Sequence, residues 1–324
     1  MTTKTEPITP SKMVEKKRHE FWYDLFRRMI LEKPLGTLGL FIAVVLLLMG
    51  IFAPWVAPYG MSQIHLGDVL RGPSLKYLLG TDQLGRDILS RLIYGARISM
   101  IIGLGATAIS QIESILIGVI SGYFGGTTDL IIQRFVDAWM SLPTFLVLIT
   151  LMSVLGSTNG GILPITLVIG ITSGIGGSRV IRSAVIGVKT NTYISAADAI
   201  GSGPIRTMMR HILPNILAPI IISFTLGVGN AILSEASLSF LGLGLPPNVP
   251  SWGSMLSNEG RQYMERAPLL AFWPGFALSL AVFGINMFGD ALRDLLDPRL
   301  RGGVGRYSIS RNKLSKLTAG MEKH

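Results

Sequence analysis

Between Asp137 and Arg179 the chain carries no acidic or basic side chain. That stretch is about twice as long as one bilayer crossing, which needs roughly 20 mostly apolar residues. The motif "GSTNGG" (residues 156–161) divides it, because Gly and Asn punctuate regular elements. It is therefore expected to supply two spans. Composition agrees: 15% of residues are charged and 49% hydrophobic, with mean hydropathy +0.50. A soluble domain carries about 25% charged residues.

The same reading finds four further apolar runs. One is "GTLGLFIAVVLLLMGIFAPW" from Gly36, and a second covers residues 98–123, interrupted by Glu113. The others lie between Arg210 and Glu235 and between Arg266 and Asp290. The expected fold is an all-α membrane protein with six transmembrane helices. The first apolar run starts too far from the N-terminus for a cleavable signal, so it is expected to stay as an anchor.

Orientation follows from the basic residues. With both termini cytoplasmic, the tails, the 122–134 turn and the 179–215 loop hold 22 of the 29 Lys and Arg. The remaining 7 fall in external loops 57–97 and 241–266. This is the bias of the positive-inside rule. The net charge of +10 is thus a topology signal, and no nucleic-acid partner is expected. The expected division is a basic cytoplasmic tail (1–35), a transmembrane domain (36–290) and a second basic tail (291–324). In the first tail, Phe21, Trp22, Leu25, Phe26, Met29 and Ile30 form one helical stripe. That pattern fits a helix lying in the bilayer interface or one packed on protein.

One internal loop breaks the apolar rhythm: "YISAADAIGSGPIRTMMRHILPN" (residues 193–215). An Asn-Thr start and Gly201 bound a first short helix. Ser202 or Gly203 caps a second, with Pro204 in its first turn and its end expected before Pro214. Small Ala196 and Ala197 let such a knuckle enter a groove on another protein. On local pattern alone, a solvated connector is equally compatible.

The loop resembles the coupling motif of ABC importer permeases, with Ser195, Ala196, Ala197, Gly201, Leu213 and Pro214 in register and His211 opening the closing element. Ser195 stands where the motif prefers Glu, and Asp198, one turn along, is a candidate replacement. Four more segments are similar to the dipeptide, oligopeptide and nickel branch of that family: "LGTDQLGRDILSRLIYGARIS", "GYFGGTTDLIIQRFVDAWMSLP", "SEASLSFLGLGLPPNVPSWGSML" and "WPGFALSLAVFGINMFGDALRDLLDPRLR". The long "GTDQLGRD" opening and the "LDPRLR" end resemble the second, C-type subunit of the permease pair. The resemblance implies a six-helix type I permease in a bacterial or archaeal cell membrane. It implies a heterodimer with a second permease, two ATPase subunits and an external binding protein. The cargo it implies is peptide, with nickel or another small solute open.

No phosphate-cradling Gly-x-x-x-x-Gly-Lys-Ser/Thr is found, so ATP and Mg are expected in the partners and the chain itself is expected to be no enzyme. An ion-coupled transporter is the weaker alternative, because no inverted repeat or carboxylate pair is evident. The chain has no cysteine, and its four histidines are scattered, so no metal site is expected. Glu113, mid-span, is a candidate pathway group or a structural hydrogen-bond partner of Gln111 or a neighbouring helix. Glu235, expected near the outer end of span five, is a candidate for the mouth or for an interface. Asn286 and Asp290 are expected to cap or to pair with Arg293, and Asp137 with Arg134. "PPNVPSW" reads as an external turn with Trp252 at the lipid interface or facing the binding protein.

Overall fold

A computed structural model describes residues 17–296 except 160 and 247; side chains 17–22, 156–159, 258 and 259 also lie outside the description. Among the described residues the chain is helical: α1 (Lys17–Glu32), α2 (Pro34–Ile51), α3 (Ala53–Val56), α4 (Ile88–Phe124), α5 (Gly126–Met140) and α6 (Thr144–Asn159). There follow α7 (Ile162–Lys189), α8 (Thr192–Ala199), α9 (Pro204–Thr207), α10 (Leu217–Phe240), α11 (Trp252–Met255) and α12 (Leu269–Leu296). Five helical segments are long and apolar enough to cross a membrane, or six if the α5–α6 pair, bent by 79°, is one span.

The frame is set by glycines that bring backbones together. A Cβ on Gly118 would lie 2.6 Å from the Ser178 carbonyl, and one on Gly170 2.8 Å from Ile109 Cβ. Close approach of this kind is how membrane helices gain packing without a hydrophobic drive between them. These contacts put residues 106–122 of α4 alongside 170–185 of α7 in the same order, so the two helices run parallel. On α10, Gly227 faces Thr107 while Val228 and Ile232 face Gly103, so α10 runs antiparallel to α4. Gly36 meets Ala291 and Gly39 meets Gly284, so α2 and α12 are also antiparallel.

The two ends of the bundle differ. At one end lie the start of α2, the ends of α4, α7 and α12, and the α8–α9 knuckle. Lys33 pairs there with Asp294, and Lys189 donates to the Tyr123 carbonyl (2.6 Å). At the other end the chain folds residues 57–87 into a compact cap. Within "GTDQLGRD", Asp82 Oδ1 accepts from the backbone N–H of Leu84 (2.8 Å) and Arg86 (2.9 Å). Its Oδ2 pairs with Arg86 Nε (2.6 Å) and stands 3.6 Å from Arg91 Nε. Asp87 then caps α4 by accepting from the Ser90 N–H (2.8 Å) and Oγ (2.6 Å). Gly85 has φ +74°, and a Cβ there would collide with the His65 carbonyl at 2.1 Å. The motif is therefore the turn that starts α4. Four basic residues of the 57–97 segment form ion pairs within it, Arg71 and Lys76 with Asp68, and Arg86 and Arg91 with Asp82.

Several sequence expectations change. Helix α4 begins at Ile88, not Ile98, and α7 runs to Lys189, so residues 88–97 and 179–189 are helix and not loop. Hydropathy marks what can lie in lipid, whereas capping marks where a helix starts. At 37 residues α4 is about 55 Å long, well beyond a roughly 30 Å hydrocarbon core. The sixth span likewise continues past Asp290 to Leu296; residues 297–324 lie outside the description, as do residues 1–16. Trp252 is fully buried, not interfacial: its ring lies against Gly95 and its Nε1 donates to the Leu92 carbonyl (3.2 Å). On α1, Leu25 and Met29 are buried against Leu295, while Phe26 and Ile30 are exposed. The helix thus packs on protein along one edge and presents apolar side chains along another. The Phe21 and Trp22 side chains lie outside the description.

Candidate functional site: a surface knuckle and a polar cleft

The 193–215 loop folds as a knuckle with two unlike faces. Asn191 opens α8, and Gly201 (φ +80°) ends it. The Gly201 N–H donates to the Asp198 carbonyl (3.0 Å) and the Ser202 N–H to the Ala197 carbonyl (3.0 Å). This doubled closure is a Schellman cap, which needs a left-handed residue after the helix. Thr207, fully buried, donates to Ser202 Oγ (3.0 Å) and ties α9 to the turn. Ile194 and Ala197, three residues apart and so on one face, turn inward. Ile194 joins Val119, Ile181, Val185, Ile212 and Ile216 in a buried cluster between the ends of α4 and α7.

The second arm does not end before Pro214. The helical path continues through a π turn (Met208–Ile212) and a 3-10 turn (Leu213–Ile216) into α10. The Leu213 N–H reaches back to the Met208 carbonyl, and this widened turn precedes the proline, whose missing N–H would otherwise break an α-helical ladder. His211 and Leu213 are half-buried, and Pro214 is exposed. Ser195, Ala196 and Asp198 are exposed on the outer face of α8. Ile200 (85% exposed) and Ile205 (74%) stand on either side of the turn between the two arms, and Met209 is exposed as well. The motif residues thus split: Ala197 anchors, Leu213 edges the same buried cluster, and the rest frame an exposed apolar tip. The anchoring isoleucines 194, 212 and 216 were missed by motif reading. Their helical spacing inside a polar loop was the available signal.

A second feature lies within the bundle. A cleft of about 330 Å³ opens between α4, α7 and α10, lined among others by Ser110, Gln111, Ser114, Ser173, Ser223 and Asn230. Its lining contains no charged side chain. Ser114 donates to the Gly174 carbonyl (2.7 Å), and Ser223 to Gln111 Oε1 (2.9 Å). The available sequence signal is that each of these polar residues interrupts an apolar span.

The two carboxylates sit elsewhere. Glu113 lies in the α4–α7 seam against Gly174, where any Cβ would meet its Oε2 at 2.2 Å. It is not Gln111's partner, and its Oε2 has no hydrogen bond among the described residues. Glu235 is wholly buried beside α4, accepting from Ser239 Oγ (2.7 Å) and Ser99 Oγ (3.3 Å). Asp137 stands 3.9 Å from Arg134 as expected and also pairs with Arg179. Asp290 makes no ion pair among the described residues; the cation–anion contact at that end of α12 belongs to Asp294. Asn286 faces Gly229 of α10.

Comparison with known proteins places these features in context. A family profile described as "Binding-protein-dependent transport system inner membrane component" matches residues 114–302, and another described as "N-terminal TM domain of oligopeptide transport permease C" matches residues 20–73. A dipeptide transport system permease of Alkalihalophilus pseudofirmus is 40% identical over 281 residues, 86% of this chain and 90% of that protein. An oligopeptide transport system permease of Bacillus subtilis is 38% identical over 288 residues, covering 89% and 93%. A glutathione transport system permease of Escherichia coli is 39% identical over 297 residues, covering 91% and 95%. Among solved structures, a chain of the inward-facing MetNI methionine ABC transporter matches at TM-score 0.49 and 16% identity, over 64% of this chain and 97% of that one.

Proposed function

This chain belongs to the family of binding-protein-dependent transport system inner membrane components, and from that premise we propose that it is one permease subunit of an ATP-driven importer of short peptides. The peptide cargo is supported by the relatives' names, which cite dipeptides, oligopeptides and glutathione; nickel has no such support among them. ATP and Mg belong to two ATPase subunits. A second permease completes the conduit, and an external binding protein delivers the cargo.

Six spans with both termini cytoplasmic is the topology we favour. Helices α4 and α7 run parallel, so the chain between them must return across the bilayer once, and the bent α5–α6 pair is the available return. Residues 33, 189–216 and 294 then share the basic, cytoplasmic end. Ser110, Gln111, Ser114, Ser173, Ser223 and Asn230 line this subunit's half of the conduit. Glu113 and Glu235 act from behind that lining, as packing groups of α4 against α7 and α10.

The observation that carries the reading is the knuckle's two-faced build. Its inner isoleucines are anchored to the ends of α4 and α7, while Ile200 and Ile205 stand exposed at the end that we assign to the cytoplasm. Such exposed apolar side chains mark a contact site. Ser195, Ala196, Asp198, Gly201, His211 and Pro214 frame the tip, and Ala197 and Leu213 fix it to the bundle. A tip bound to an ATPase and rooted in two spans transmits motion between ATP site and conduit. Coupling of this kind is a difference in contacts between two states. Asp198 supplies the carboxylate that Ser195 lacks. The test is reconstitution with the cognate partners: Ile200→Glu with Ile205→Glu is expected to abolish ATP-driven peptide uptake while membrane insertion persists. Uptake at the wild-type rate in that variant refutes the assignment.

A further inference from the structure

The cleft holds a side chain whose hydrogen bonding is unfinished. Gln111 is 9% exposed and lines the cleft from α4. Its Oε1 accepts from Ser223 across the α4–α10 contact, while its Nε2 is buried without any partner among the described residues. If the amide is turned over, Ser223 accepts instead and the oxygen is left over. In either orientation one polar atom is orphaned, at a cost a fold tolerates only where something returns to that atom. The surrounding lining sets hydroxyl and amide groups among nonpolar side chains such as Ile169, Val180 and Leu226, and it carries no charge. A site for an ammonium or a carboxylate would need an opposite charge beside it, and a site for a bare metal ion would need carboxylate or imidazole ligands. What this lining matches is a neutral group that both donates and accepts, and each main-chain amide of a peptide is such a group.

We infer that Gln111 is the residue with which this subunit reads the peptide main chain during passage. Resting on the peptide reading above, the inference adds that recognition within the conduit is indifferent to side chains. Ser223 positions the amide, while Gly227 and Gly177 let α10 and α7 approach Thr107 and Ser114 of α4 beside it. A single hydrogen bond is strong enough to hold a main chain in register and weak enough to release it, which a conduit requires.

The experiment uses the whole transporter in proteoliposomes, with saturating binding protein loaded with two tripeptides differing only in side chains, and with a main-chain ester analogue of one. Gln111→Leu is expected to lower the uptake rate about tenfold for both peptides alike, with ATPase assembly intact. Ser223→Ala is expected to lower it by less, because the amide remains but loses its positioning partner. In wild type the ester analogue, a poorer acceptor, is expected to pass more slowly than the peptide, and in Gln111→Leu that difference is expected to vanish. The comparison within wild type stands even if the Leu variant fails to fold. An ester analogue that passes as fast as the peptide, an unchanged rate in Gln111→Leu, or a loss that follows side-chain identity would each overturn the inference while leaving peptide transport in place. No peptide uptake by the wild-type complex overturns the reading beneath it.

Discussion

Replacing Ile194 with alanine removes three carbons from the joint between knuckle and bundle. The side chain is buried against Val119, Ile181, Val185, Ile212 and Ile216, all nonpolar, so no hydrogen bond enters the accounting. At about 0.8 kcal/mol per buried methylene the change costs about 2.4 kcal/mol, and an unrelaxed cavity raises this within a range of about 2–5 kcal/mol. At about 2.4 kcal/mol, the transfer cost alone, the ratio of docked to undocked knuckle falls roughly sixtyfold. Ile194→Val removes one carbon and lowers it about fourfold. Hydrogen exchange reads this directly: protection of amides 194–202 is expected to fall in the order Ile, Val, Ala by about those factors. In the assembled transporter, peptide imported per ATP hydrolysed is expected to fall in the same order. Unchanged protection and unchanged stoichiometry in the Ala variant would show that the knuckle is held by something other than this cluster.

Three further outcomes follow from the packing and the charges. Gly118→Val is expected to block assembly of the bundle, because its Cβ would meet the Ser178 carbonyl at 2.6 Å; a wild-type melting temperature in detergent would contradict the α4–α7 contact. Asp82→Asn removes the buried charge that Arg86 and Arg91 share, so thermal unfolding is expected to shift to lower temperature, and an unaffected transition would refute the clasp. The Asp68 carboxyl is held below the usual carboxylate range, first by the Lys76 ammonium, then by the Tyr77 hydroxyl, with Arg71 adding its charge. A depressed carboxylate stabilises above its unfolded value, about pH 3.9, and loses that stabilisation as pH falls through its folded value. Proteolysis of residues 66–80 is therefore expected to stay flat from pH 7 to about pH 5 and to rise only below about pH 4. A rise already near pH 6 would contradict it.

The spans were legible in the sequence because lipid demands long apolar runs, and the knuckle because Gly201 and Pro204 punctuate it. Helix starts were less so. Asp87 begins α4 ten residues before hydropathy does, and a cap made by one carboxylate leaves no mark on an apolar average. The two aspartates of "GTDQLGRD" are consumed in a turn and a cap. Trp252 was misplaced because an aromatic after an external turn matches both an interface and a core, and Gly95, far along the chain, decides between them. The cleft was overlooked for a related reason. Glu113 and Glu235 are the costliest residues to place in a membrane, so they attract attention, but the packing puts one in a seam and surrounds the other with serines. Which polar residues share a cleft depends on helix register, and register is set by glycine contacts that no single span reveals.

The central claim is that the exposed tip of the knuckle is an ATPase contact, and the chain's lack of cysteine makes it directly testable. A single Ile200→Cys variant, assembled with its partner subunits, carries one thiol on this chain. A thiol-reactive photo-crosslinker attached at position 200 before assembly is expected to link to an ATPase subunit on illumination, with a yield that changes between ATP-bound and nucleotide-free states, and assembly is expected to shield the unlabelled thiol from a water-soluble maleimide. A thiol that stays fully reactive in the assembled complex and never links to the ATPase would contradict the claim.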